Sequence, residues 1–311
     1  MTTTASSNHV SDSQVQPQKT KKIALIVEGG GMRGIFSAGV LDSFYELGFD
    51  PFHLYIGVSA GSLNLISHLA GQYRRNYRVL MGCATSGQFI NKWNFLRGGH
   101  YLNLDWLGNE SLAEHPLDEH KAFQFLESTG KAFVVVSTSV ETGKPQYHRP
   151  NRHNIHGILR GSCSIPILYR TPVYIDRAHV VDGSVGDPIP VKEAYKLGAT
   201  DIIIIRSREK NYRKQKNNLE ARLGALLYRG LPAIKNTIMN QPQIYNESLS
   251  FLEHPPHGIN IYQIASESCL ASGRTTTDTK ALKLDYSQGM KLGKKFIEVY
   301  RETIINNHLQ I

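Results

Sequence analysis

The sequence predicts a three-layer α/β/α sandwich built on a mostly parallel central sheet. Two observations carry this fold class. Short unbroken apolar runs alternate along the chain with segments of helical apolar spacing, the rhythm of β-turn-α units. The runs are apolar at every position instead of every second one, as expected of strands covered by helices on both faces.

The elements follow in order. Residues 22–28 (KIALIVE) form a compact run stopped by three glycines and read as a buried strand. Residues 34–47 space Ile35, Ala38, Val40, Leu41 and Phe44 as one helix face and close at Gly48. Residues 49–58 supply a second strand, Ser59 a turn, and residues 60–70 a second helix. Residues 73–126 are irregular, with Arg74, Arg75 and Arg78 near the start and Trp93, Phe95, Tyr101 and Trp106 in the middle. They read as helices and loops over the sheet. Residues 131–140 (KAFVVVSTSV) are β-branched and unbroken, the clearest strand signal in the chain.

Residues 151–162 suggest a short helix, and residues 173–176 and 179–181 a hairpin around Arg177 and Ala178. Asp187 and Pro188 have the chemistry of an N-cap and first position for a helix running to Leu197. Residues 201–207 (DIIIIRS) are another strand. Helices over 219–252, broken by Gly230, Pro232 and Pro242, precede a strand at 258–265 and a long helix at 284–305. Residues 1–20, polar and rich in Ser, Thr and Gln, read as a disordered lead-in. Residues 21–207 are the expected core, and residues 208–311 a helical extension packed on the same domain.

The 311 residues suffice for a large core, and no window reaches the roughly 18 uninterrupted apolar residues of a membrane-spanning helix. The start lacks the apolar region of a signal peptide. Cys83, Cys163 and Cys269 are widely spaced and show no metal-ligand pattern. They imply reduced thiols and a cytoplasmic protein; no metal and no cofactor is expected. A net charge of +9 points to an anionic partner. The densest basic run, 206–216 (RSREKNYRKQK), carries six positive charges against one acid and suits peripheral contact with an anionic membrane. No nucleic-acid recognition module is visible, so nucleic acid is not an expected partner.

Three short stretches carry chemistry. Gly57-Val58-Ser59-Ala60-Gly61 joins a strand directly to a helix, and small residues around the serine suit a sharp turn that lifts its hydroxyl out. Gly29-Gly30-Gly31-Met32-Arg33-Gly34 also joins a strand to a helix, and Gly29, Gly31 and Gly34 match a dinucleotide fingerprint. That reading needs an acid ending the second strand, where Ser59 stands instead. The alternative is an anion site for the oxygen that gains charge when a serine attacks an acyl carbonyl. Asp182, at a strand end beside Gly183, is the candidate base.

In this order the three stretches resemble the motifs of the patatin-like phospholipases, over residues 22–207. The resemblance implies a calcium-independent lipid acyl hydrolase acting on lipid or phospholipid through a Ser–Asp dyad. Ser59 would be the nucleophile, with Gly57 and Gly61 framing its elbow. Asp182 would be the base in an Asp-Gly motif with Gly183, and the region of Gly29, Gly30, Gly31, Met32, Arg33 and Gly34 the oxyanion hole. Ser184 departs from the Gly or Ala usual after Asp-Gly, and its hydroxyl would favour the charged form of Asp182. Two other readings stay open: a triad carboxylesterase for soluble esters using His254 or His257, and a non-catalytic lipid-binding protein with a degraded site.

Overall fold

The structure, a computed structural model, describes residues 21–215 and 219–306, so the lead-in at 1–20 and Lys216 of the basic run lie outside the described residues. Strand β1 (Ile23–Val27) is followed by α1 (Gly34–Glu46), β2 (Leu54–Val58) and α2 (Ala60–Leu69). Helices α3 (Arg75–Met81), α4 (Lys92–Leu96), α5 (Leu104–Glu114) and α6 (Glu119–Thr129) make up the irregular stretch. Then come β3 (Ala132–Ser139), β4 (Pro145–His148), α7 (Ile155–Cys163), β5 (Val173–Ile175), β6 (Ala178–Asp182) and α8 (Val191–Lys196). The chain continues through β7 (Asp201–Ile205), α9 (Leu219–Leu227), α10 (Pro232–Glu253), β8 (Asn260–Ile264) and α11 (Thr279–Asn306).

The eight strands form one mixed sheet, in which β3, β2, β1, β7 and β8 run parallel and side by side. Odd residues of β1 (Ile23, Leu25, Val27) pack with Phe36, Phe44, Leu65, Phe123 and Phe296, beneath α1, α2, α6 and α11. Even residues (Ala24, Ile26) pack with Val191, Ala194, Tyr245 and Leu249, beneath α8 and α10. Both faces are therefore dry, which is why these strands read as unbroken apolar runs. Helix α11 crosses α1 so closely that a Cβ on Gly289 would lie 2.1 Å from the Phe36 carbonyl oxygen.

Several expectations shift. Strand β4 is half-buried along its length and antiparallel to β3, and its sequence, Pro-Gln-Tyr-His, gives no strand pattern. The hairpin turn falls on Asp176 and Arg177, both at positive φ, as a two-residue turn of the hand that suits twisted strands requires. Helix α8 starts at Val191, because the Asp187 carboxylate accepts the Tyr147 hydroxyl (2.7 Å) instead of capping a helix. Pro242 lies inside α10 without ending it. The strand expected at 258–265 is present as β8, which pairs in parallel with β7 and so joins the chain after residue 207 to the sheet.

The register of β3 positions the site. Val135 and Val136 pair with β2 and also with β4, so those two strands flank β3 on opposite edges. Ser137 and Thr138 pair with β4 and also with β6, which places β6 on the same edge as β2. Strand β2 ends at Val58, opposite Val136, and antiparallel β6 ends at Asp182, opposite Ser137. The two strands thus run toward each other and stop at consecutive β3 residues. Asp182 reaches Ser59 by this head-on meeting, and not by sharing the carboxyl edge of a parallel sheet.

Candidate active site

Ser59 sits at φ 53° and ψ −127°, a strained backbone for a residue with a side chain, between the last residue of β2 and the first of α2. The turn holds because its neighbours can be tightly packed. A Cβ on Gly61 would lie 2.2 Å from the Val27 carbonyl oxygen, and one on Gly57 would lie 2.5 Å from the Ser62 Cα. The Ser59 carbonyl accepts the N–H groups of Ser62 (2.9 Å) and Leu63 (3.4 Å), so the helix opens directly from the serine. The N–H of Ala60, the first residue of α2, has no hydrogen-bond partner among the described residues.

The end of α7 braces this turn. The Ser162 hydroxyl accepts the Ser59 N–H (2.9 Å) and donates to the Val136 carbonyl (2.6 Å). The Ser164 carbonyl accepts the Asp182 N–H (2.9 Å). The Cys163 thiol lies buried beside Ser59, with burial pushing its pKa up and the Ser59 hydroxyl acting in the opposite direction. Ser162, Cys163 and Ser164 therefore touch both Ser59 and Asp182. Their sequence signal was a run of three small polar residues at a helix end, which reads equally well as packing.

Asp182 is 1% exposed and Ser59 5%. Burial pushes the Asp182 carboxyl above the usual carboxylate range, against the hydroxyls of Ser184 and Ser59, the Ser184 N–H and the charge of Arg274, which all pull it down. Oδ1 accepts the Ser184 N–H (2.8 Å). Oδ2 makes no hydrogen bond of ordinary geometry among the described residues, although the Ser59 hydroxyl is near enough to favour the charged form. Ser184 acts on Asp182 in the direction its hydroxyl suggested, but burial outweighs it.

The glycine loop lies against this pair, with a Cβ on Gly29 predicted to fall 2.9 Å from that of Ser59. The Met32 N–H donates to the Arg274 carbonyl (3.0 Å) and the Arg33 N–H to that of Gly30 (3.3 Å). The Gly34 N–H turns back to the carbonyls of Gly31 and Met32. Three of the six loop residues thus spend their backbone donors on the fold. The N–H groups of Gly30 and Gly31 have no partner among the described residues.

A narrow cleft leads from Ser59 and Asp182 past the loop to Arg33, Arg208, Lys214 and Arg274. Burial pushes the Arg33 guanidinium down to about 10, and repulsion from Arg208 and Arg274 adds to this. Both oxygens of Glu28, which also lines this cleft, are occupied by the Tyr245 hydroxyl (2.9 Å) and the Ser207 N–H (2.7 Å). The basic run is therefore divided. Arg206 is buried, Arg213 pairs with Glu253, and Arg208 and Lys214 face the cleft. Arg75 is buried too, donating to the Ser67 hydroxyl and the His115 carbonyl, so it offers nothing to a membrane.

On the other side, Ala60 and Cys163 open onto a cavity of about 280 Å³ walled by residues of α2, α3, α5 and α7, among them Leu63, Leu80, Leu104 and Leu159. His254 and His257 are exposed after α10, and no histidine lines the cleft among the described residues.

The patatin-like phospholipase family model matches residues 25–195, which contain the glycine loop, the serine elbow and the Asp-Gly turn. The chain belongs to the patatin-like phospholipase family, a family of lipid acyl hydrolases. A second family model, a domain of unknown function (DUF6363), matches residues 231–304, from α10 into α11. The uncharacterized protein YjjU of Escherichia coli (strain K12) is 34% identical over 286 residues, covering 91% of this chain and 79% of that protein. The crystal structure of VipD from Legionella pneumophila matches with a TM-score of 0.41 and 13% identity, covering 88% of this chain and 67% of that one.

Proposed function

We propose that the protein hydrolyses fatty acyl esters of lipids through an acyl-enzyme on Ser59, with Asp182 as general base. The observation that carries this is the head-on meeting of β2 and β6, which brings a strained serine and a buried carboxylate together in a cleft that no histidine lines among the described residues. Asp182 takes the proton as the Ser59 Oγ attacks the ester carbon. The oxyanion is received by the unpartnered N–H groups of Gly30, Gly31 and Ala60, each such donor contributing about 10²–10³ in rate. The tetrahedral intermediate collapses, the ester C–O bond breaks, and Asp182 returns the proton to the departing alcohol. Water then enters, gives one proton to Asp182 and attacks the acyl carbon. As the second tetrahedral intermediate collapses, the bond from the acyl carbon to the Ser59 Oγ breaks, Asp182 returns the proton to that oxygen, and the fatty acid leaves.

The surroundings support a lipid ester over a small soluble one. The cavity beyond Ala60 is apolar enough to take an acyl chain, and the alcohol half then faces the basic wall of Arg33, Arg208 and Arg274. Fatty-acid release from a long-chain lysophospholipid and from a short-chain soluble ester tests the reading. Faster turnover of the long chain, lost in Ser59→Ala, is expected. Equal turnover of both in Ser59→Ala and wild type contradicts it.

A further inference from the structure

Helix α9 is oriented against the usual rule. Its leucines at i, i+3 and i+4 (Leu223, Leu226 and Leu227) would ordinarily face a core. They are instead 50%, 63% and 59% exposed, and Leu231 just beyond is exposed as well. The side turned inward carries small residues, with Gly224 packed on Ile238 and Ala225 buried. Scattered exposed leucines are common, but four within nine residues on one surface mark a contact site.

Three further observations identify the occupant. Gly224 and Ile238 line a cleft together with Asp182 and Ser184, so the leucines stand on the outer face of a helix that borders this cleft. Arg222, Arg229 and Lys235 are exposed around the leucines, while residues 222–246 contain no acid. An apolar stripe rimmed by cations is the pattern of a helix lying in the headgroup region of an anionic bilayer. The chain also has no helix among its described residues long and apolar enough to cross a membrane.

We propose that α9 and the start of α10 form a docking surface for an anionic phospholipid bilayer, seating Leu223, Leu226, Leu227 and Leu231 among the acyl chains and the cleft mouth at the headgroups. The choice of a lipid partner rests on the hydrolase reading above; the binding itself does not require turnover. The surface lies apart from the buried Arg75 and Arg206, and it replaces the 206–216 run as the membrane-facing element.

Co-sedimentation of the Ser59→Ala protein with phosphatidylcholine vesicles, and with the same vesicles containing phosphatidylglycerol, tests it without hydrolysis. Binding is expected to be about tenfold tighter to the anionic vesicles, to weaken with salt, and to fall at least about tenfold in Leu226→Glu/Leu227→Glu. Leu226→Gln/Leu227→Gln and circular dichroism of each variant separate lost contact from lost folding, and a folded glutamine variant should also bind weakly. Vesicle binding unchanged in a folded double variant overturns the proposal. So does a dimer in light scattering that the same substitutions dissociate while vesicle binding is absent, because the leucines then serve a second copy of the chain. Absence of hydrolysis by the wild-type protein, with vesicle binding intact, counts against the hydrolase reading alone.

Discussion

Ser59 and Asp182 stand at the ends of two strands that meet head-on along one edge of β3, opposite the consecutive residues Val136 and Ser137. The Ser59 hydroxyl is near enough to the Asp182 carboxyl to favour its charged form. On the proposed mechanism a single buried carboxyl serves as both acceptor and donor of the proton.

A base buried in this way leaves a signature in the pH profile. The Asp182 pKa is raised by burial, so kcat/KM should fall on acidification at a higher pH than an ordinary carboxylate would dictate. Ser184→Ala removes a hydroxyl and keeps the backbone N–H that holds Oδ1, so it should move this acid limb further upward. A pH–rate profile of the two proteins checks both statements.

The same burial acts on stability. With its folded pKa above the unfolded one, Asp182 binds more protons in the native state between those two values, so stability falls as pH rises through that window. The charged carboxylate is thus a cost at neutral pH. Asp182→Asn should melt higher than wild type at neutral pH, with the difference vanishing in acid below the unfolded pKa, while hydrolysis drops about 10²–10⁴-fold. Thermal melts across pH, paired with fatty-acid release, measure this.

Ser162 links the nucleophile turn to β3. Ser162→Ala leaves the buried Ser59 N–H without a partner, at about 1–3 kcal/mol of stability. Because the change loosens Ser59 and not the acyl cavity, kcat should fall while KM changes little. Steady-state kinetics and denaturant melts of Ser162→Ala decide the matter.

Tight packing around the turn makes an even sharper case. A methyl at Gly61 would collide with the Val27 carbonyl oxygen, and β1 cannot retreat because β7 pairs with its other edge. Gly61→Ala should lose about 1–3 kcal/mol and most activity, as read by urea melts and ester hydrolysis.

Much of this was legible in the sequence because the strands are buried on both faces and the serine turn needs small neighbours. The elbow, the glycine loop and the Asp-Gly turn were located from residue types alone. The route by which Asp182 arrives was not, since antiparallel β6 looks like any short apolar run and its register is decided by the overhang of β3 beyond β2. Strand β4 was hidden because Pro145, Gln146, Tyr147 and His148 are all half-buried and show no alternation. The bracing by Ser162, Cys163 and Ser164 was invisible because contacts from α7 to two distant strand ends leave no local pattern. The outward facing of the α9 leucines was not legible, since periodicity reveals a stripe and not the direction it faces.

The central claim is that Ser59 is made nucleophilic by Asp182. Covalent labelling with a fluorophosphonate probe, followed by mass spectrometry of the labelled peptide, addresses it most directly. A single adduct on Ser59 is expected in wild type, none in Ser59→Ala, and a strongly slowed reaction in Asp182→Asn. Unchanged labelling in Ser59→Ala, or a wild-type rate in Asp182→Asn, would contradict it.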